Sequence, residues 1–142
     1  MEVKDVHEKI LYPVSRVRAS DAGGSGVLVY SKEDSKHPGE FINIALTCEH
    51  VIAKNVTVKD EWDTVLKREV KRDVTSEVAV EMFDYDNSEV VSANSIKADI
   101  IAYDKNHDLA AVRLHSKKQM PHVANVIPKK EIANLQIADP VW

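Results

Sequence analysis

The fold is decided by Phe41-Ile42-Asn43-Ile44-Ala45-Leu46-Thr47-Cys48-Glu49-His50-Val51-Ile52-Ala53, a stretch that changes its pattern after Thr47. Residues 41–47 form a short run rich in apolar and β-branched side chains, which is typical of a strand. Residues 48–53 lack alternation and have the length of one helical turn. The sequence therefore predicts a strand that ends in a helical turn, with His50 on that turn.

Five other segments have the same strand-like character and are bounded by turn residues. They are residues 14–19, 27–30, 78–83, 89–103 and 109–115. The polar loop with Pro38-Gly39 predicts that residues 27–30 and 41–47 form a hairpin, and residues 89–103 are long enough to expect a bend or a bulge. Six short strands with little helix predict an all-β fold, an antiparallel six-stranded β-barrel.

Two helical segments are expected beside the barrel. Apolar residues at positions 3, 6, 10 and 11 recur at helical spacing, and Pro13 would end this short N-terminal helix. Residues 60–73 are rich in charge, with apolar side chains at positions 62, 65, 66 and 70, again roughly at helical spacing. We interpret this second segment as a charged helical insertion.

Composition limits the classes of protein to which the chain can belong. Its 142 residues are 44% hydrophobic and 30% charged, which fits one globular domain spanning residues 1–142. A formal net charge of −4 argues against nucleic acid as a partner. One cysteine, Cys48, excludes an internal disulfide and is compatible with the cytoplasm, although the compartment stays unknown. We find no secretory signal and expect no membrane partner.

Three motifs occur in a meaningful order along the chain. Gly24-Ser25-Gly26 precedes the first strand of the hairpin, Thr47-Cys48-Glu49-His50-Val51-Ile52 ends it, and Asp108-Leu109-Ala110 opens the last strand. From Gly23 to about Leu114 the chain resembles the first β-barrel of trypsin-like serine peptidases, nearest to the Deg-type (high-temperature-requirement) branch. That branch has a Gly-Ser-Gly strand start, a Thr-x-x-His-Val-Ile segment and an Asp-Leu-Ala-x-x-x-Leu segment.

The resemblance implies that His50 is a general base and that Asp108 is its orienting partner. A serine hydroxyl is a weak nucleophile at neutral pH, so an imidazole must take its proton and return it to the leaving amine. A buried carboxylate on the other ring nitrogen fixes the tautomer and stabilises the imidazolium. The predicted strand after Asp108 would hold that carboxylate rigidly. His50 and Asp108 are therefore the predicted catalytic residues.

The nucleophile of a Ser-His-Asp triad cannot be found. In trypsin-like peptidases it lies in a Gly-x-Ser-Gly turn of a second barrel, but the last of the four glycines here is Gly39. Residues 139–142 resemble the opening of another strand. We therefore expect the N-terminal half of a serine endopeptidase, inactive alone, whose partners are a missing C-terminal half and a protein or peptide substrate. The uncovered barrel face would also favour a homo-oligomer.

Other readings of the same residues are weaker. Cys48 lies two positions from His50, where side chains do not ordinarily face each other, so we expect a buried apolar cysteine and not the nucleophile of a cysteine hydrolase. The histidines at positions 50, 107 and 115 are too few and too scattered for a zinc site, and no metal or cofactor is expected. Residues 84–89 lack the glycine of a calcium loop and predict a turn. Gly24, Ser25 and Gly26 predict a tight turn and not a phosphate loop.

One alternative function stays open. The chain could be a non-catalytic protein-binding module that keeps a peptidase-like barrel and lacks the chemistry.

Overall fold

The computed structural model describes residues 2–140 and consists mostly of strands. The strands are β1 (Val14–Arg18), β2 (Gly23–Glu33), β3 (Phe41–Thr47), β4 (Val56–Asp63), β5 (Arg68–Thr75), β6 (Val78–Asp86), β7 (Glu89–Asp104) and β8 (Leu109–Leu114). The helices are α1 (Val3–Val6), α2 (Glu49–Ile52) and α3 (Lys129–Ile132), with a π-helical turn at His7–Leu11 and a 3-10 turn at Ala53–Asn55.

Six of these strands form a closed antiparallel barrel in the order β1-β2-β3-β8-β7-β6, with β6 pairing back onto β1. The prediction of a six-stranded antiparallel barrel is confirmed. β2 and β3 form the expected hairpin, with Val27 opposite Leu46. The register of β7 against β8 shifts between Ile100 and Ala102, which is the irregularity expected from the length of β7.

Buried and exposed side chains alternate along strands of the barrel. In β8, Ala110, Val112 and Leu114 are buried while Leu109 and Arg113 are exposed, and β1 alternates in the same way. This period of two is what a sheet with one buried face requires. The buried apolar core consists of Val17, Leu28, Ala45, Val51, Ile52, Val78, Val80, Ala98, Ile100, Ala110, Val112 and Leu114.

The glycine-rich segment belongs to a strand and not to a turn, so that prediction is wrong. Gly23 to Gly26 pair with β1, and the chain reverses just before them, where the Ala19 amide donates to the Ala22 carbonyl. A Cβ on Gly24 would lie 2.6 Å from Val51 Cγ2, and one on Gly26 would lie 2.8 Å from Val17 Cγ2. These glycines are needed because buried side chains approach the strand closely.

The charged insertion is a two-stranded hairpin of β4 and β5, and the prediction of a helix there is wrong. The Asp63 carboxylate accepts the amides of Val65 and Leu66 at 2.8 Å each, which stabilises a turn. Lys67 completes the reversal with a φ of 52°. The apolar positions that suggested a helix are divided between the two strands and the turn.

The N-terminal helix is confirmed, and it ends before Pro13 as expected. The predicted turn after β6 is also present, with Asn87 and Ser88 at positive φ. The expected strand at 139–142 includes residues 141 and 142, which lie outside the described residues. Between residues 2 and 140, no helix is both long and apolar enough to cross a membrane.

Candidate functional site

His50 lies on the single helical turn α2, directly after β3. The turn is held in place by its own apolar residues, because Val51 and Ile52 are buried in the barrel core while His50 faces outward. Thr47 secures the end of β3 by donating its hydroxyl to the Ser25 carbonyl at 2.9 Å. The local sequence therefore buries one side of the turn and leaves the imidazole at the rim of the barrel.

Asp108 is the residue immediately before β8 and reaches His50 from a different part of the chain. Its Oδ1 accepts the main-chain amide of His50 at 2.9 Å, and its Oδ2 lies 2.7 Å from Nδ1 of the ring. The backbone of Asp108 has a φ of 52°, a left-handed conformation that Asp tolerates better than most residues. The two predicted site residues are thus brought together by geometry.

The electrostatics of this pair fix the ionisation of the acid. The main-chain amide of His50, followed by its imidazole, lowers the pKa of Asp108 below the ordinary value of 3.8. An ionised carboxylate only accepts hydrogen bonds, so Nδ1 carries the proton in the neutral ring. Nε2 is then the free acceptor, and it makes no hydrogen bond within residues 2–140. An imidazole in this state is able to accept a proton from an incoming group.

The expected burial of the carboxylate is not observed. The side chain of Asp108 is 47% exposed and that of His50 is 70% exposed. Both residues lie at the rim, where no other element of the described chain covers them. The pair is therefore oriented by hydrogen bonds and by the barrel beneath it, without being shielded from water.

Cys48 lies closer to this pair than its spacing suggested. Its Sγ and the ligand atoms of His50 and Asp108 all lie within 4.8 Å of one another. Cys48 has extended backbone angles, φ −81° and ψ 144°, and the helical turn begins only after it. The change of backbone direction brings the thiol and the imidazole to the same side. The expectation that they would not face each other is wrong, and the half-buried thiol also contacts the core.

The other histidines make separate pairs. His107 contacts Asp104 at 2.6 Å and His115 contacts Asp99 at 3.0 Å, so neither joins His50. One further pair was not predicted from the sequence. The Ser88 hydroxyl lies 2.8 Å from Nδ1 of His7, a residue 81 positions away in the chain. This pair is exposed, and no local pattern signals a contact over such a separation.

An apolar surface adjoins the His50–Asp108 pair. Leu109, next to Asp108, is 51% exposed. A shallow hollow here is lined by Leu46, Ala102, Tyr103, Asp104, Leu109, Ala110 and Ala111. The Tyr103 hydroxyl donates to Asp73, which ties the β4–β5 hairpin to this side of the barrel. An exposed apolar area beside polar groups is typical of a contact surface.

Neither a protein-family model nor a curated protein sequence matches the chain.

Proposed function

We propose that the chain supplies the general base and the orienting acid of a Ser-His-Asp endopeptidase, His50 and Asp108, while the nucleophile comes from a second segment. One observation carries the proposal: Asp108 contacts both the main-chain amide and Nδ1 of His50, which leaves Nε2 free and exposed to solvent. This is the arrangement that an imidazole needs to take a proton from a serine hydroxyl.

The exposure of the pair supports a second segment. An acid–base pair is more effective when water is excluded, because electrostatic interactions strengthen in a low dielectric. The apolar surface of Leu109 and the hollow beside it lie next to the pair. A segment that covers this surface would shield Asp108 and place a hydroxyl near Nε2 in one step.

Three of the five serines after β5 make hydrogen bonds away from that position. Ser76 bonds to Asn55, Ser88 to His7 and Ser92 to Asp84. The chain also has no glycine after Gly39, so it lacks the turn whose amides stabilise an oxyanion. Peptide hydrolysis consequently requires the second segment, and we expect no cleavage by this chain alone.

The test combines the chain with a polypeptide that carries a Gly-x-Ser-Gly turn and follows the cleavage of a labelled, unfolded protein. We expect cleavage only in the mixture, and we expect His50→Ala to abolish it. His37→Ala is the matched control, because His37 is also exposed and also pairs with an aspartate, Asp34, but lies on the β2–β3 loop. Cleavage that survives His50→Ala would overturn the proposal, and loss on Ser88→Ala would move the chemistry to His7.

The second candidate is a non-catalytic protein-binding module, which the exposed apolar surface favours. The same mixture separates the two functions. A complex that forms and never cleaves, whatever residue occupies position 50, is the outcome that supports the binding module.

A further inference from the structure

We infer that Cys48, His50 and Asp108 form a binding site for a single zinc ion. Their ligand atoms, one thiol, one imidazole nitrogen and one carboxylate oxygen, all lie within 4.8 Å of one another. Sulfur, nitrogen and oxygen donors of these types are the ligands that zinc takes from proteins, and three of them leave one position open for water.

The spacing of the donors suits a tetrahedral ion. With bonds of about 2.0–2.3 Å to zinc, ligand atoms lie roughly 3.5 Å apart. The Nδ1–Oδ2 contact between His50 and Asp108 is 2.7 Å, which is shorter than that, so the two side chains separate slightly as the ion enters. The ring proton then moves from Nδ1 to Nε2, which frees the Nδ1 lone pair for the metal. Small rotations of Cys48 and His50 complete the approach, and their backbones stay fixed by the buried Val51 and Ile52 beside them.

Solvent access and ligand chemistry both favour zinc binding at Cys48, His50 and Asp108. His50 and Asp108 are exposed enough for an ion to enter from solvent, and Cys48 is half-buried beneath them. A thiolate selects zinc over magnesium and calcium, which prefer oxygen ligands. On binding, the Cys48 thiol releases its proton to solvent and the sulfur takes its place on the metal.

A second group, Glu77, Asp99 and His115, also converges within the described residues. It contains no sulfur, and the Lys97 ammonium lies 3.4 Å from Glu77, where it already neutralises one carboxylate. This group therefore serves as an internal comparison for the cysteine-containing site.

Zinc would act on the proposed function by removing the base. A neutral imidazole has one nitrogen with a free lone pair and one that carries a proton. If the ion takes that lone pair, neither nitrogen is able to accept a proton from a serine, whichever one binds. This consequence rests on the proposed function, whereas zinc binding itself does not.

The first experiment measures metal binding by the full chain without an affinity tag. We expect one Zn²⁺ per chain by calorimetry, and a thiolate-to-cobalt charge-transfer absorption when Co²⁺ replaces it. Cys48→Ser should remove the absorption and raise the zinc Kd more than about tenfold, since even outer-shell changes cost that much. Asp108→Asn should also weaken binding, while His37→Ala and His115→Ala should leave it unchanged.

The second experiment needs no variant, so it is independent of whether any variant folds. Because Cys48 is the only cysteine, its alkylation by iodoacetamide is read directly by mass. We expect Zn²⁺ to protect it. Absence of the charge-transfer absorption, full alkylation in saturating Zn²⁺, or binding lost in His115→Ala would each overturn the site. Neither experiment measures hydrolysis, so this result and the test of the proposed function are separate.

Discussion

Asp108 makes both of its hydrogen bonds at the site to one residue, His50, one to the main-chain amide and one to the imidazole. The first bond places the carboxylate relative to the backbone of α2. The second then orients the ring relative to that carboxylate. One side chain thus sets the position of the turn and the tautomer of the histidine together.

Asp108→Asn tests whether the carboxylate selects the tautomer. The Asn oxygen still accepts the main-chain amide of His50, but its NH₂ donates to Nδ1, so the ring proton moves to Nε2. Nitrogen chemical shifts of the ring report this change. If the mixture that tests the proposed function hydrolyses peptides, we expect this variant to lower hydrolysis about 10⁴-fold. Asp104→Asn, which alters the equivalent pair with His107, is the control, and an unchanged tautomer in Asp108→Asn would contradict the assignment.

Gly24→Ala and Gly26→Ala should each destabilise the barrel by about 1–3 kcal/mol, because the added methyl group would clash with a buried valine side chain. At position 24 the methyl would meet buried Val51 at 2.6 Å, next to His50. Gly23→Ala is the matched control, since its nearest contact is an ordinary 3.7 Å. Denaturant unfolding measures all three. If the three variants unfold at the same denaturant concentration, β2 shifts to accept the added methyl group and the prediction is wrong.

Asp63 should give the turn of the hairpin an acid-dependent stability. The Leu66 amide is the largest of the contacts that hold the pKa of Asp63 below 3.8, with Val65 and Arg72 adding to it. The unfolded carboxyl therefore binds protons more readily than the folded one. The stabilisation is fully present above the ordinary pKa and is lost as the pH falls through the depressed folded value.

The amide shifts of Val65 and Leu66, followed from pH 6 downwards, measure this transition. We expect a midpoint below 3.8. Asp63→Asn is the control, because its oxygen still accepts both amides but does not titrate. A midpoint at or above the ordinary value would show that the contacts do not favour the ionised form.

Asn55→Ala should loosen the segment between the His50 turn and the hairpin. The buried Asn55 side chain accepts the Ser20 amide at 3.0 Å and donates to Ser76 and to the Glu77 carbonyl. Its loss removes three part-buried hydrogen bonds, at a cost of about 1–3 kcal/mol in the free energy of unfolding. Thermal unfolding and hydrogen exchange at Ser20 measure the effect, with the exposed Asn106→Ala as control. An unchanged rate of hydrogen exchange at Ser20 would show that the three hydrogen bonds of Asn55 do not stabilise this segment.

The barrel was predictable from the sequence because its strands are short runs of strand-forming residues that are bounded by turn residues. In β8, five of the six residues from Leu109 to Leu114 are apolar, a local signal that needs no information about the rest of the molecule. The meeting of His50 and Asp108 was predictable only through the order of motifs, because nothing local connects residues 58 apart.

The predictions that proved wrong concern features that depend on more than the local spacing of residues in the sequence. Trp62 and Val70 match a helix by spacing, but the Asp63 side chain stabilises a reversal between them. The thiol of Cys48 turns toward His50 because the backbone changes direction there. The exposure of Asp108 depends on its position at the rim of the folded barrel, which local spacing does not report.

The backbone of Asp108 adopts a left-handed conformation, which costs conformational energy in any residue with a side chain. Glycine would adopt this conformation with less strain, and asparagine would fit it equally well. Replacement by glycine would relieve this strain but would also remove both hydrogen bonds to His50. The backbone angle of Asp108 and its contacts to the α2 turn therefore act on stability in opposite directions.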